Sequence, residues 1–203
     1  MKQLFISLDV ETFGPIPGKH PMVELGAAAY TDNWDVVDTF SKCLSKDKWE
    51  SDSSTIKWWF MPDNYPNYQR IVKNAESPLE VMVQFSTWLQ VLCDQGYELV
   101  PVAYPASFDY MFVYWYLVYY VGYSRPLSFS CLDIKSYICA SELLRYREAT
   151  KRNFPKRWFN KYLKHTHKAV DDALEQGWMF IQAYRKNNGM PLLNDRMLLL
   201  NDR

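Results

Sequence analysis

Hydrophobic positions along the chain form short runs in its first part and longer stretches in its second. The early runs are rich in β-branched and aromatic residues and are followed by turn residues, such as Gly14–Gly18 and the pair Asp32 and Asn33. This pattern predicts strands, with a hairpin between the second and the third. The predicted strands are Leu4–Val10, Met22–Tyr30, Trp34–Leu44, Glu98–Ala103 and Ser128–Leu132.

Helix signals dominate the remainder of the chain. Ser77, followed by Pro78 and Glu80, has the pattern of a helix N-cap, and Gly96 is typical of a helix end. Three consecutive strands followed by alternating helices and strands predict an α/β fold, with a mixed β-sheet flanked by α-helices. The predicted helices are about Thr55–Phe60, Ser77–Asp94, Phe108–Val121, Asp133–Glu148 and Lys168–Lys186.

Length and composition predict one folded domain. The 203 residues are 48% hydrophobic and 23% charged, which allows a substantial core and excludes a disordered chain. We expect a single domain over residues 1–203, with a core of about 1–187 and a tail of 188–203. The apolar segment Met197–Leu200 of this tail is suited to docking, for example on a partner chain.

The longest apolar stretch, Tyr110–Gly122, is too short to span a bilayer, so we expect no membrane partner. The N-terminus leads directly into a strand without a signal peptide, and the four cysteines form no C-x-x-C pair. These features predict a cytoplasmic protein with reduced thiols and give a zinc site little support. The formal net charge of zero argues mildly against a nucleic-acid binder, unless basic residues are concentrated locally.

Two acids stand at the end of the first predicted strand. Asp9 and Glu11 are two positions apart, so their side chains point to the same face of the strand. Like charges this close repel each other, which is tolerable if a cation lies between them. A polar strand end running into a turn would show the same two residues, so this pair alone decides nothing.

Further candidates lie much later in the chain. Asp109 follows Phe108 near the start of a predicted helix, where an acid also stabilises the helix dipole. His167 and Asp172 are five residues apart, which on one continuous helix would leave their side chains about 140° apart. They meet only if His167 lies in the loop before the helix. A histidine there is suited to act as a general base, although a surface histidine beside a capping acid is equally ordinary.

Taken together, these residues indicate a function far more specifically than any one of them alone. The order D-x-E, then F-D about a hundred residues later, then H-x-x-x-x-D, resembles the DEDDh family of 3′→5′ exonucleases over Leu4–Tyr184. The segment Ser54–Trp59, with the sequence S-T-I-K-W-W, is similar to a segment of the T4-type phage exonuclease A and mycobacterial exoribonuclease group. The resemblance implies a ribonuclease H-like fold and hydrolysis of single-stranded DNA or RNA from the 3′ end, releasing nucleoside monophosphates.

The resemblance assigns roles to five residues. Asp9, Glu11, Asp109 and Asp172 match the four metal-binding acids, and His167 matches the general base. The implied cofactors are two Mg²⁺ or Mn²⁺ ions, which prefer oxygen ligands.

Alternatives at these positions are disfavoured by spacing. Asp171 precedes the position that the family spacing selects, Tyr162 has Thr166 four residues on, and His165 has Val170 five residues on. The chain departs from the family pattern at Pro105, where many members carry Asn. This departure bears on substrate preference more than on catalysis.

The basic residues that the neutral net charge conceals lie in Lys151–Lys168, which contains seven cations, no acid and four interleaved aromatic residues. We expect some of these cations, in particular Lys156 and Arg157, to contact phosphates. The alternative is a solvated surface whose aromatic residues belong to the core. The family resemblance also places the following residues against the terminal nucleotides: Thr12, Phe13 and Met22.

Other functions remain open at this point. Trp58 and Trp59 are candidates for the same contacts, but paired tryptophans are more often core anchors. A catalytically silent nucleic-acid-binding or assembly module on the same fold is the alternative function. The chain is also compatible with a homodimer or with a subunit of a larger assembly.

Overall fold

The first strand lies inside a six-stranded mixed sheet. The computed structural model describes residues 2–123 and 125–194. The strand order is β4-β3-β2-β1-β5-β6, in which β2 pairs antiparallel with both β1 and β3, and β5 pairs parallel with β1. The short strands β4 and β6 add parallel pairs at the two edges. The strands are β1 (Lys2–Thr12), β2 (Met22–Tyr30), β3 (Val36–Leu44), β4 (Ala75–Glu76), β5 (Tyr97–Ala103) and β6 (Leu132–Asp133).

Six α-helices accompany the sheet in the described part of the chain. They are α1 (Ser53–Trp59), α2 (Tyr65–Lys73), α3 (Pro78–Asp94), α4 (Asp109–Tyr116), α5 (Ile134–Ser141) and α6 (Ala169–Asn187). A π-helical turn, Leu117–Val121, continues α4, and two 3₁₀ turns, Lys151–Asn153 and Lys156–Trp158, lie in the basic segment. The predicted α/β architecture, with a mixed sheet flanked by helices, is confirmed.

Local predictions differ from the structure in a few places. The strand predicted at Ser128–Leu132 spans only Leu132–Asp133, helix α2 was not predicted, and α5 ends at Ser141 instead of Glu148. Ser77 is the N-cap residue of α3, but its side chain makes no capping hydrogen bond. Pro78 at the first helical position therefore carries the start signal without a side-chain cap from Ser77.

Alternation along β1 separates the two faces of the sheet. Leu4, Ile6, Leu8 and Val10 pack with residues of α3 and α4 in one core cluster. Phe5 belongs to the second cluster, on the face that α6 covers. Because successive side chains of a strand point to opposite faces, the residues after Phe5 at odd positions also face α6.

The start of α6 lies unusually close to β2. A Cβ atom on Gly26 would be 2.1 Å from the carbonyl carbon of Ala169, the first residue of α6. Only a residue without a side chain permits this approach of helix backbone to strand. Further along the helix, Gly177 packs closely against the ring of Tyr30.

Helices α1 and α2 cover the end of β1. Phe13, Trp59 and Ile71 are buried together in a third apolar cluster. The indole Nε1 of Trp59 donates a hydrogen bond of 3.0 Å to the carbonyl oxygen of Thr12. The side chain of Asp52 caps α1 by accepting the backbone N–H groups of two residues in its first turn. The chain after β1 is thus fixed by a short, capped helix.

The first part of the tail packs against α6, where Gln182 bonds the backbone of Leu193 and Arg185 donates to the carbonyl of Pro191. The segment Met197–Leu200, which was expected to dock, lies outside the described residues. No helix within the described part of the chain is both long enough and apolar enough to cross a bilayer.

Candidate active site

The end of β1 presents two acids toward α6. Asp9 and Glu11 continue the row of side chains that includes Phe5. Their partners on the neighbouring strand are Gly26 and Glu24. Since Gly26 has no side chain, the space beside Asp9 is filled by the first turn of α6.

A third acid comes from the beginning of α6. Asp172 is only 1% exposed, and its two oxygens accept the backbone N–H groups of Thr166 at 2.8 Å and His167 at 3.1 Å. One carboxylate oxygen from each of Asp9, Glu11 and Asp172 lies within 4.8 Å of the others. Acids more than 160 positions apart in the chain therefore converge at one point.

The fourth acid, Asp109, begins α4 directly after β5 and its connecting turn. It is 4% exposed, and its Oδ1 accepts the backbone N–H of Val10 at 3.2 Å. This hydrogen bond holds Asp109 against the strand residue between Asp9 and Glu11. We refer to Asp9, Glu11, Asp109 and Asp172 as the carboxylate cluster.

Negative charge is concentrated and poorly solvated in this cluster. Burial raises the pKa of Asp9 well above its ordinary value, and the charges of Asp109, Glu11 and Asp172 raise it further. Burial also raises the pKa of Glu11 and of Asp109. The positive charge of Lys151 lowers the pKa of Asp9, but its effect is smaller than those of burial and of the three acids. The positive charge of a divalent cation would offset the repulsion between the acids and their loss of hydration. The acids offer only oxygen ligands, which hard divalent cations prefer.

His167 lies in the loop two residues before α6, where its side chain can meet Asp172. Its Nδ1 is 3.8 Å from Oε1 of Glu11, and its ring contacts the ring of Trp58 edge-on at 5.1 Å. The nearby carboxylate of Glu11 raises the pKa of His167, and burial opposes that shift. Its backbone has a φ of 57°, a left-handed conformation that is uncommon for a residue with a side chain. The loop is thus shaped to hold the imidazole beside the acids.

Comparison with known proteins identifies the family. The model of the Rv2179c-like 3′-5′ exoribonuclease domain matches residues 4–183. The chain belongs to this family of 3′→5′ exonucleases. It is also 30% identical over 188 residues to the 3′-5′ DNA exonuclease Cap18 of Escherichia coli, covering 88% of this chain and 90% of that protein. The chain is therefore a hydrolytic 3′→5′ exonuclease.

Solved structures agree on the fold. The nuclease domain of 3′hExo, a DEDDh family member bound to rAMP, has a TM-score of 0.64 at 13% identity and covers 95% of this chain and 96% of that chain. Escherichia coli exonuclease I in complex with an oligonucleotide has a TM-score of 0.59 at 15% identity, covering 93% of this chain and 41% of that chain. The predicted ribonuclease H-like fold of this exonuclease is confirmed.

The exonuclease contains a supporting ion pair that the sequence patterns did not predict. Glu24 is completely buried beside Glu11, and Arg70 of α2 donates to both of its carboxylate oxygens, at 2.8 and 2.7 Å. Arg70 also donates to the carbonyl oxygen of His167 at 3.4 Å. One guanidinium thus connects β2, α2 and the His167 loop. An acid inside an otherwise apolar strand was the only signal available for this pair.

Further side chains near the cluster had no predicted role within it. His165, disfavoured because Val170 lies five residues on, has its Nδ1 3.0 Å from Oδ2 of Asp172. The ammonium of Lys151 lies 2.5 Å from Oε2 of Glu175, on the same helix as Asp172. From that helix, Gln176 donates to the carbonyl oxygen of Leu8 at 2.7 Å. An imidazole therefore contacts Asp172, an ammonium contacts Glu175 on the same helix, and an amide of that helix contacts β1.

The predicted contacts around the terminal nucleotide have little exposed surface. Met22 is fully buried, and Phe13 and Thr12 are 5% and 7% exposed. The backbone N–H of Met22 donates to the hydroxyl of Tyr116, and the ring of Phe13 packs against Trp59. Met22 and Phe13 belong to core clusters, and the nucleotide contacts expected of these three residues stay a prediction. Trp58, partly exposed beside His167, is better placed to meet a ligand.

The basic segment divides into a part near the cluster and a part far from it. Lys156 and Arg157 are exposed, and Arg157 pairs with Glu142, which also pairs with Lys186. Lys186 lies fourteen residues after Asp172 on α6, a distance of about 21 Å along the helix. The aromatic residues of the segment divide as well: Phe154 and Trp158 are buried in the core, whereas Tyr162 is exposed.

Proposed function

We propose that this exonuclease removes nucleoside monophosphates from the 3′ end of single-stranded nucleic acid, using two Mg²⁺ or Mn²⁺ ions held by the carboxylate cluster. The observation that carries the proposal is the convergence of Asp9, Glu11 and Asp172 within 4.8 Å, with His167 Nδ1 3.8 Å from Glu11. Oxygen-only ligands with raised pKa values fit a hard divalent cation. Such ions, when bound, acidify water and stabilise charge on the phosphate and the leaving 3′ oxygen.

His167 is the group that accepts a proton. Its Nδ1 faces the carboxylate of Glu11, so the Nδ1–H form of the ring is favoured and Nε2 keeps a free electron pair. Nε2 would take the proton of the attacking water. The negative charge of Glu11, 3.8 Å away, stabilises the imidazolium that results. Arg70 and Asp172 fix the loop by bonding the carbonyl and the N–H of the same residue.

The supporting residues keep this arrangement in place before substrate binds. Asp109 is fixed by the amide of Val10, and Asp172 by two amides of the loop. Gln176 lies 3.5 Å from Oδ1 of Asp9 and restricts its rotation. A site whose ligands are already oriented loses less free energy to ordering when it is loaded.

The polymer is a nucleic acid with a free 3′ end. The family description names an exoribonuclease, whereas the name of the E. coli relative specifies DNA, so the proposal covers both. Discrimination depends on contacts with the 2′-hydroxyl. Matched DNA and RNA oligonucleotides, assayed in parallel, decide the preference.

The test uses a single strand labelled at its 5′ end, incubated with Mg²⁺ or Mn²⁺. We expect a ladder that shortens one nucleotide at a time, and no activity after chelation. Asp9→Asn and His167→Ala should each lose nearly all turnover while folding normally, whereas Lys73→Gln, at an exposed position of α2, should not. Substantial turnover by folded Asp9→Asn would show that the cluster is not the reaction centre.

A further inference from the structure

A second group of potential metal ligands overlaps the carboxylate cluster. His165, His167 and Asp172 each offer one ligand atom, and these atoms lie within 4.8 Å of one another. The two imidazole rings have centroids 4.4 Å apart, and Nδ1 of His165 is 3.0 Å from Oδ2 of Asp172. His165 has no part in the pattern of four acids and one histidine, so the proposed function leaves it unexplained.

The segment that carries both histidines is fixed from several sides. The backbone N–H groups of Thr166 and His167 bond Asp172, and Nδ2 of Asn67 donates to the carbonyl oxygen of Thr166 at 3.0 Å. Arg70 holds the next carbonyl. Four hydrogen bonds from α2 and α6 therefore orient the segment without any ligand, and an ion binding there needs little rearrangement.

The donor set selects a particular class of ion. Zinc takes imidazole nitrogen and carboxylate oxygen at about 2.0–2.2 Å, which places neighbouring ligand atoms roughly 3–3.5 Å apart. The 3.0 Å between His165 and Asp172 fits this spacing. Mg²⁺ prefers an all-oxygen shell, so it favours the carboxylate cluster instead.

The surroundings also allow an ion to enter. The side chain of His165 is 47% exposed, which leaves a path from solvent. Oε2 of Glu175, 3.9 Å from Nδ1 of His165, is close enough to contribute a further oxygen after a small movement. Lys151 opposes cation binding here, but its ammonium is already paired with Glu175.

We infer that His165, His167 and Asp172 form an inhibitory site for Zn²⁺. An ion there would occupy a nitrogen of His167, which could then no longer accept a proton, and would withdraw Asp172 from the carboxylate cluster. Zinc would thereby stop hydrolysis while Mg²⁺ supports it. The inhibitory effect rests on the proposed function, but the binding of zinc does not.

Calorimetric titration of the metal-free full chain with ZnCl₂ tests the binding, and the difference between the original protein and the His165 variants separates this site from zinc bound at the carboxylate cluster. We expect zinc to bind the original protein and Lys164→Asn alike, and to bind His165→Asn at least about tenfold more weakly, because a ligand is missing. His165→Gln provides a second variant, and circular dichroism checks that each is folded. No zinc binding, or equal affinity in the histidine variants, would overturn the site.

The inhibition is measured separately with a labelled single strand at fixed Mg²⁺, each protein being normalised to its own zinc-free rate. The zinc concentration for half inhibition should rise at least about tenfold in His165→Asn. An unchanged concentration would refute the inhibitory role. If no sample hydrolyses the strand in Mg²⁺, the proposed function fails, yet the calorimetry still decides the zinc site.

Discussion

Gly26→Ala is the change that most directly tests how the fold positions the active site. Gly26 pairs with Asp9 across the sheet and faces the first turn of α6. An alanine Cβ there would be 2.1 Å from the carbonyl carbon of Ala169 and 2.2 Å from the nitrogen of Val170. Both are backbone atoms, so no side-chain rotation can make room.

The size of the effect follows from these distances. Cβ contacts below 3.0 Å are essentially never seen, so strand and helix must separate by about 1 Å or more. Overpacking of this kind costs about 1–3 kcal/mol of stability. Ala169 stands between His167 and Asp172 in the chain, so the same movement displaces the proposed base and one carboxylate. A displacement near 1 Å at a reaction centre lowers kcat/KM by about 10²-fold.

Gly177→Ala is the matched control, because Gly177 lies on α6, the helix that Gly26 contacts. Its Cβ would meet ring atoms of Tyr30 at 2.8–3.0 Å, a side-chain clash five residues beyond Asp172. We expect it to lower the melting temperature while retaining most of the hydrolysis of a labelled strand. Both variants are measured by steady-state hydrolysis and by thermal unfolding in the same buffer.

Gly26→Ala should therefore lose both stability and activity, whereas Gly177→Ala should lose mainly stability. If folded Gly26→Ala kept kcat/KM within about threefold of the original protein, α6 would have absorbed the clash without moving its acids. Equal losses of activity in both variants would also contradict the expected role of Gly26, because the effect would then follow general destabilisation.

Three further results are expected. Arg70→Met should destabilise the fold by about 2 kcal/mol or more in urea unfolding, because it leaves buried Glu24 unpaired beside the carboxylate cluster. In metal-free protein, three acids of the cluster have raised pKa values, so the folded state binds extra protons and stability should increase as pH falls below neutrality toward those values. Replacing Lys156 and Arg157 by neutral residues should lower the slope of log K for strand binding against log salt concentration. The slope should fall by about 0.7 for each phosphate contact that is lost.

Each of these has its own control. Adding Glu24→Gln to the arginine variant should recover part of the stability, and no recovery would contradict an electrostatic cause. Saturating Mn²⁺ should abolish the increase in stability on acidification; a slope that persists with metal would place its origin in other groups. Lys73→Gln, an exposed cation on α2, serves as the comparison for salt dependence, and an unchanged slope in the double variant would mark Lys156 and Arg157 as ordinary surface residues.

Regular spacing made much of the arrangement predictable. The two-residue period of a strand puts Asp9 and Glu11 on one face, and helix geometry requires His167 to precede α6, which it does. The order of strands and helices was likewise sufficient for the α/β architecture. These features depend on local rules that a single chain displays directly.

Contacts between distant elements were not predictable in the same way. Arg70 lies on α2, a helix that was not predicted because its segment is rich in turn residues. No local sequence pattern therefore indicated its hydrogen bond to Glu24. Met22 follows a turn and could have been exposed, but it is enclosed by the first core cluster. His165 lies beside Asp172 in a loop that is left-handed at His167, a backbone state that composition does not reveal.

Trp58 and Trp59, adjacent on α1, affect the fraction of folded molecules that is active. Trp59 bonds the carbonyl at the end of β1, while Trp58 contacts the ring of His167. A seven-residue helix is unstable by itself and persists here through its cap and its packing. Fraying of this one element would release the acidic strand end and the proposed base, His167, together, so a population of inactive, otherwise folded molecules can form well below the melting temperature. Hydrogen exchange of the α1 amides would then report catalytic competence more faithfully than global unfolding.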